Sequence, residues 1–160
     1  MNNDICKGVS LQKWTKKETG PNGTAYLCEK ILKAYEDAGE LTYFRNNSGM
    51  ANGVRIGRAG WPDFIVCNKL SVFGLECKGF IKNAPTGLND NQNQVLPVIE
   101  KHMHVIVVHD PIELAKALTD DYFFYSLQNK LKSMYFVDKP KVANFAEKTL
   151  NKAKKAAVKK

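Results

Sequence analysis

Residues 60–79 read GWPDFIVCNKLSVFGLECKG, and how this stretch is parsed decides the fold. Two apolar runs, Asp63–Cys67 and Val72–Lys78, flank a short polar turn, which is the pattern of two sequential β-strands. Period-two alternation along the second run puts Val72, Gly74, Glu76 and Lys78 on one face and Phe73, Leu75 and Cys77 on the other. Glu76 and Lys78 therefore project to the same side, and Gly74 leaves room there. If the two strands pair as a hairpin, Asp63 at the start of one lies near the end of the other. Two carboxylates and an amine then meet at one end of a sheet.

Outward from this pair, helical and strand patterns alternate. From Thr24, the residues Leu27, Cys28, Ile31, Leu32 and Tyr35 share a helical face, and Gly39 is a suitable stop. Leu41–Arg45 follows as a strand. Asn46–Gly60 is a linking segment with glycines at 49, 53, 57 and 60 and arginines at 55 and 58. Loops of this length without structure of their own are uncommon unless functional or disordered. On the other side, 83–89 is a loop and Asp90–Lys101 an amphipathic helix with Val95, Leu96 and Ile99 inward. His104–His109 is a strand. Asp110, Pro111 and Glu113 then read as N-cap, N1 proline and capping-box acid of a short helix.

The order α-β-β-β-α-β-α predicts an α/β fold, a mixed central sheet flanked by helices, complete by about residue 118. Four segments are expected: an arm over 1–23, a core over 24–118, an aromatic-rich extension over 119–138 that packs on it, and a Lys/Ala-rich helical tail over 139–160.

Composition narrows the classes. The chain has 160 residues, 44% of them hydrophobic, with 8 Phe, 6 Tyr and 2 Trp, so it can bury a core and is not a low-complexity disordered chain. No stretch is apolar enough to cross a bilayer, and the N-terminal residues lack the apolar run of a secretory signal. Cysteines 6, 28, 67 and 77 form neither a Cys-x-x-Cys nor a zinc spacing, which predicts free thiols and a cytoplasmic protein. The net charge is +8. Residues 139–160 hold eight Lys and one Glu, so the tail carries +7 and the rest of the chain +1.

A cluster of two carboxylates and a lysine suits a divalent cation. Two carboxylates about 4 Å apart repel by roughly 4 kcal/mol at an effective dielectric near 20. A hard Mg²⁺ held by one or two carboxylates and a substrate phosphate relieves that repulsion. A lysine beside it can orient or help deprotonate the attacking water.

Pro62-Asp63 … Glu76-x-Lys78 resembles the signature of the PD-(D/E)XK nucleases. With Gly60-Trp61-Pro62-Asp63-Phe64-Ile65, Gly74-Leu75-Glu76-Cys77-Lys78-Gly79 and Leu88-x-x-x-Gln92, the likeness is to the virus-type replication-repair nuclease (VRR-NUC) branch, over about residues 24–110. The resemblance implies a restriction-endonuclease-like core and a Mg²⁺-dependent DNA endonuclease, with Mn²⁺ as a substitute. Asp63 and Glu76 would be metal ligands with the backbone carbonyl of Cys77, Lys78 the catalytic lysine, Gln92 the helix glutamine beside the site, and Glu29 the first-helix carboxylate completing the network. It also implies branched or structured DNA as substrate, as for a phage-type Holliday junction resolvase or a recombination and repair nuclease, and a possible homodimer. Trp61, where a smaller residue is usual, and a long segment after Glu-x-Lys depart from the family pattern.

Each residue also has a plainer reading. Asp63, Glu76 and Lys78 could be a turn aspartate and an exposed ion pair. Gln92 could serve only its own helix start. Glu29 sits beside the apolar stripe, and Glu36 is an alternative acid. Arg55 and Arg58 suit phosphate contacts or a solvated loop, and Lys152, Lys154 and Lys155 suit non-specific DNA affinity. His102, His104 and His109 read as structural, since nothing nearby supplies a ligand set. A monomeric nicking or flap nuclease, or a non-catalytic nucleic-acid-binding or inhibitor protein, are the competing functions.

Overall fold

The computed structural model describes residues 21–46, 50–51, 54–55, 57–82 and 84–135. In chain order the elements are α1 Pro21–Asp37, β1 Leu41–Arg45, β2 Met50–Ala51, β3 Val54–Arg55, β4 Phe64–Asn68, β5 Val72–Cys77, β6 Phe80–Ile81, β7 Ala84–Pro85, α2 Asp90–Ile99, β8 His104–Val108, α3 Pro111–Ala117 and α4 Asp121–Tyr135. Residues 1–20 of the expected 1–23 arm and the basic tail, with Lys152, Lys154 and Lys155, lie outside the described residues, and residues 21–23 belong to α1.

Local chemistry explains the helix ends. α1 begins at Pro21, three residues before the expected start, because proline's fixed φ and missing N–H suit a first helical position. It closes as predicted at Gly39, whose φ is +72°. There Glu40 N donates to Tyr35 O and Gly39 N to Glu36 O, the paired bonds of a Schellman ending. At α3, Asp110 accepts from Glu113 N as expected for an N-cap. The Glu113 carboxylate bonds the N–H of His109 rather than that of Asp110, so the box closes one residue upstream.

The main sheet has the order β1-β4-β5-β8. β4 lies antiparallel to β1, with Phe64 opposite Arg45, and antiparallel to β5, with Phe64 opposite Leu75. β8 runs parallel to β5, with Val107 opposite Glu76. A parallel neighbour needs a crossover, and α2 lies in the connection from β5 to β8. The fold is thus α/β, a mixed four-stranded sheet with helices on both faces.

Each face has its own core. On one, Phe64, Val66, Phe73, Leu75, Cys77, Ile106 and Val108 pack with Cys28, Ile31, Leu32 and Tyr35 of α1, Leu114 of α3 and Phe124 and Leu127 of α4. On the other, Val105 and Val107 meet Leu96 and Ile99 of α2. The predicted alternation along β5 is realised, since Phe73, Leu75 and Cys77 enter the first core while Glu76 stays outside it.

Three details differ from the sequence expectation. Met50–Ala51 and Val54–Arg55 pair as a short hairpin inside the segment expected to be loop. The two residues between them are Asn52-Gly53, a dipeptide favoured in two-residue hairpins. A second small hairpin, β6–β7, extends into the expected 83–89 loop. In α4 the aromatic run is split: Phe124 is buried edge-to-face against Phe73, whereas Tyr122 and Tyr125 face solvent. A helix shows only one face to the core, so four consecutive aromatics cannot all pack. Among the described residues, no helix is long and apolar enough to cross a membrane.

Candidate active site

β5 ends at the site. Glu76 lies on the α2 side of the sheet and is only 1% exposed, and Lys78, just past the strand, is 8% exposed. Lys78 N donates to Val108 O at 2.7 Å, which carries the sheet pairing one residue further and fixes the lysine's exit. From there Nζ reaches back to 3.0 Å from Glu76 Oε1. The pair is buried, so it is not the solvated surface ion pair of the plainer reading.

Gln92 closes the group from α2. Its Nε2 donates to Glu76 Oε1 at 2.5 Å, and its Oε1 accepts from Lys78 Nζ at 2.7 Å. The same Oε1 accepts from Asn89 N at 3.0 Å, while Gln92 N donates to Asn89 Oδ1 at 2.9 Å, completing a capping box. Gln92 therefore caps its helix and also binds Glu76 and Lys78. Asn89-x-x-Gln92 was a legible capping signal.

Asp63 joins from the start of β4. Its Oδ2 accepts from Cys77 N at 2.9 Å, which puts it across the strand pair from Glu76. In extended backbone the N–H and C=O of one residue point to the same edge, so the Cys77 carbonyl is directed to the Asp63 side. Two glycines permit the close packing. A Cβ on Gly74 would lie 2.6 Å from Pro62 Cγ, and one on Gly60, whose φ is +80°, would lie 2.8 Å from Asn91 O. The room that Gly74 leaves is filled by Pro62, and Gly60 lets the Trp61–Asp63 segment touch α2.

Burial governs the charges. The Glu76 carboxyl is pushed up to about 8, first by desolvation and then by the Asp63 charge, against the pull of Lys78 and Gln92. Asp63 is also raised by desolvation, opposed by the Cys77 N–H and the Lys78 and Arg45 charges. On the opposite face, burial holds the Cys77 thiol well above its usual range, next to Cys28. Cys28, Cys67 and Cys77 are free, as expected.

The donor set fits a hard divalent cation. Glu76 Oε2 is buried and has no hydrogen-bond partner, an arrangement that costs about 1–3 kcal/mol unless something fills it. A cation beside Glu76 and Asp63 would satisfy that oxygen and offset the repulsion that raises Glu76. Among the described residues no three His, Cys, Asp or Glu side chains form a metal cage. Two carboxylates and a carbonyl match instead the sparse protein ligation that Mg²⁺ accepts when substrate phosphate supplies the rest.

The other expected residues fall around this group. Glu29 is not in it: its carboxylate pairs with Arg45, the last residue of β1, because an exposed guanidinium lies within its reach. Arg45 in turn acts on Asp63, so Glu29 is one partner removed. Glu36 accepts from Thr42 Oγ1. Arg55 sits in β3 opposite Met50. Arg58 is exposed, with its guanidinium over the Trp61 ring at 4.9 Å. The atypical Trp61 thus serves as a shelf for Arg58 and packs against the α2 core. The long segment after Lys78 is tied back by Thr86, which bonds both backbone groups of Gly79.

The histidines are structural where side-chain contacts are present. His109 Nε2 lies 3.2 Å from Thr86 O, and His104 Nδ1 lies 2.6 Å from Gln128 Nε2. Asn46, the first residue of the linking segment, is 9% exposed, and its amide makes three hydrogen bonds, two donated by Nδ2 and one accepted by Oδ1. No local signal distinguishes it, because its partners lie 12 to 17 residues away.

Comparison with protein-family models, with curated proteins and with solved structures returned no match.

Proposed function

We propose that this protein is a divalent-metal-dependent endodeoxyribonuclease of the PD-(D/E)XK type, with a restriction-endonuclease-like core. The observation that carries the reading is the buried group of Glu76, Lys78 and Gln92 with the half-buried Asp63 beside it, in which one carboxylate oxygen of Glu76 has no partner. A structural ion pair has no use for an orphaned oxygen beside a second carboxylate. A cation site has.

Asp63, Glu76 and the Cys77 carbonyl would hold Mg²⁺ or Mn²⁺, which when bound makes water a better nucleophile and offsets charge on phosphate. Lys78 has one N–H within reach of Glu76 and gives another to Gln92, which leaves its third for a water or a phosphate oxygen. Gln92 fixes the lysine by accepting a hydrogen bond from Nζ. In the hydrolysis, a water oxygen gives up a proton as it bonds phosphorus, the opposite P–O bond breaks in line, and the departing oxygen takes up a proton.

Branched DNA as substrate and a homodimer acting on opposite strands rest on the sequence resemblance. Purified protein would be incubated with four-way-junction, flap, nicked and linear DNA in Mg²⁺ or EDTA. Mg²⁺-dependent strand cleavage is expected, abolished in Glu76→Ala and Lys78→Met. Cleavage that persists in Glu76→Ala would remove the site from the mechanism. Symmetric paired incisions in the junction support the resolvase; a single incision at a flap supports a monomeric nuclease; binding without cleavage supports a non-catalytic DNA-binding protein.

A further inference from the structure

Asn46 connects the acidic site to Arg58, which has no acidic partner among the described residues. It follows β1, and its backbone N–H donates to the carbonyl of Asp63 at 2.7 Å. Its side chain spans the neighbouring segment. Oδ1 accepts from Arg58 N at 3.0 Å, and Nδ2 donates to Arg58 O at 3.0 Å and to Trp61 O at 3.4 Å. Both backbone groups of Arg58 are thus clamped by a single buried amide, one residue's reach from Asp63.

The Arg58 side chain is treated differently from its neighbour's. Arg45 is neutralised by Glu29, but among the described residues no carboxylate pairs with Arg58. Its guanidinium is exposed and lies on the indole of Trp61, itself held against α2. A planar cation fixed at its backbone and supported on one face keeps its donors directed outward. That geometry suits a phosphate oxygen, which guanidinium binds with two parallel hydrogen bonds.

We propose that Asn46 is a positioning residue that presents Arg58 to a DNA phosphate neighbouring the one cleaved; the inference rests on the nuclease reading for its substrate. Asn46 bears no charge and, enclosed by its own hydrogen bonds, does not touch DNA. Its effect passes through Arg58 alone.

Salt dependence separates this from a folding role. Binding of the full-length protein to duplex and four-way-junction DNA in EDTA would be followed by fluorescence anisotropy over a range of salt. Arg58→Ala should lower the slope of log K against log salt by about one, the loss of one phosphate contact. Asn46→Ala, which changes no charge, should lower it by a similar amount, and should add nothing further in the Arg58→Ala background. Melting temperatures are measured alongside. An Asn46→Ala protein that melts earlier yet keeps the wild-type slope overturns the proposal, as does an equal further loss in the Arg58→Ala background. Should Asn46→Ala fail to fold, Asn46→Ser, which keeps an oxygen near Arg58 N, takes its place with the same criteria. Wild-type protein that binds DNA but does not cleave it in Mg²⁺ would sink the nuclease reading while the slopes still decide the role of Asn46. Wild-type protein that does not bind DNA would overturn both.

Discussion

Lys78 Nζ lies 2.7 Å from Gln92 Oε1, and that oxygen also accepts the N–H of Asn89 that opens α2. One amide thus joins the start of a helix to the amine at the end of a strand. Gln92→Ala removes both bonds and the donor to Glu76. We expect a stability loss of about 1–3 kcal/mol, from the polar groups it leaves unpaired. The single-turnover cleavage rate should fall more than the stability change explains. Urea denaturation and a rate at saturating protein, both well below the melting temperature, check this; a normal rate in a destabilised variant would make Gln92 a cap only.

Glu76 makes stability depend on pH in an unusual direction. Its carboxyl titrates at about 8 in the folded protein, against an ordinary value of 4.5. Between these values the folded state keeps a proton that the unfolded state has lost, so metal-free stability falls as pH rises from about 4.5 to 8. The contribution is on the order of 5 kcal/mol when complete. Asp63, also raised, acts in the same direction. Denaturation in EDTA should therefore show a more stable protein at pH 5.5 than at pH 8, and Glu76→Gln should remove most of the difference. Mg²⁺ should raise the melting temperature at pH 8 in wild type and not in Glu76→Gln. A flat wild-type profile would contradict the assigned burial of Glu76.

Gly74 is required by Pro62. A methyl at 74 would fall 2.6 Å from the proline Cγ, well inside van der Waals contact. Gly74→Ala should cost about 1–3 kcal/mol, the usual range for overpacking. It should also shift Asp63, which follows Pro62, and so weaken the Mg²⁺-induced rise in melting temperature. Pro62→Ala should restore part of the stability to Gly74→Ala. No recovery would mean that the two positions are not in contact.

The basic segment 139–160 carries +7 in a protein whose remaining residues carry +1. A nearly neutral body gives DNA little long-range attraction. Deleting 139–160 should weaken DNA binding, most visibly at low salt, while leaving the single-turnover rate at saturating protein largely intact. A collapse of that rate would assign the segment to the fold or to a dimer.

Much of this was legible in the chain itself. The alternation of β5, the Gly39 ending of α1, the inward face of α2 and the cap of α3 follow from local periodicity and capping chemistry, which act within a few residues. So did the convergence of Asp63, Glu76 and Lys78, because a short hairpin leaves one antiparallel register in which the apolar faces agree. The basic tail and the free cysteines were also plain from composition.

Other features depend on distant partners. That Arg45 holds Glu29 apart from the other carboxylates, that Gln92 caps its helix and also binds Glu76 and Lys78, and that Asn46 clamps Arg58 are facts about segments separated by 12 to 16 residues. So too is the value of Gly74, which reads as a weak point in a strand until Pro62 is seen to occupy its face. Sequence periodicity determines which side of an element is apolar. Only the packing of elements against one another determines which polar groups are buried together, and there the desolvation that raises Glu76 and the orphaned oxygen that invites a cation arise.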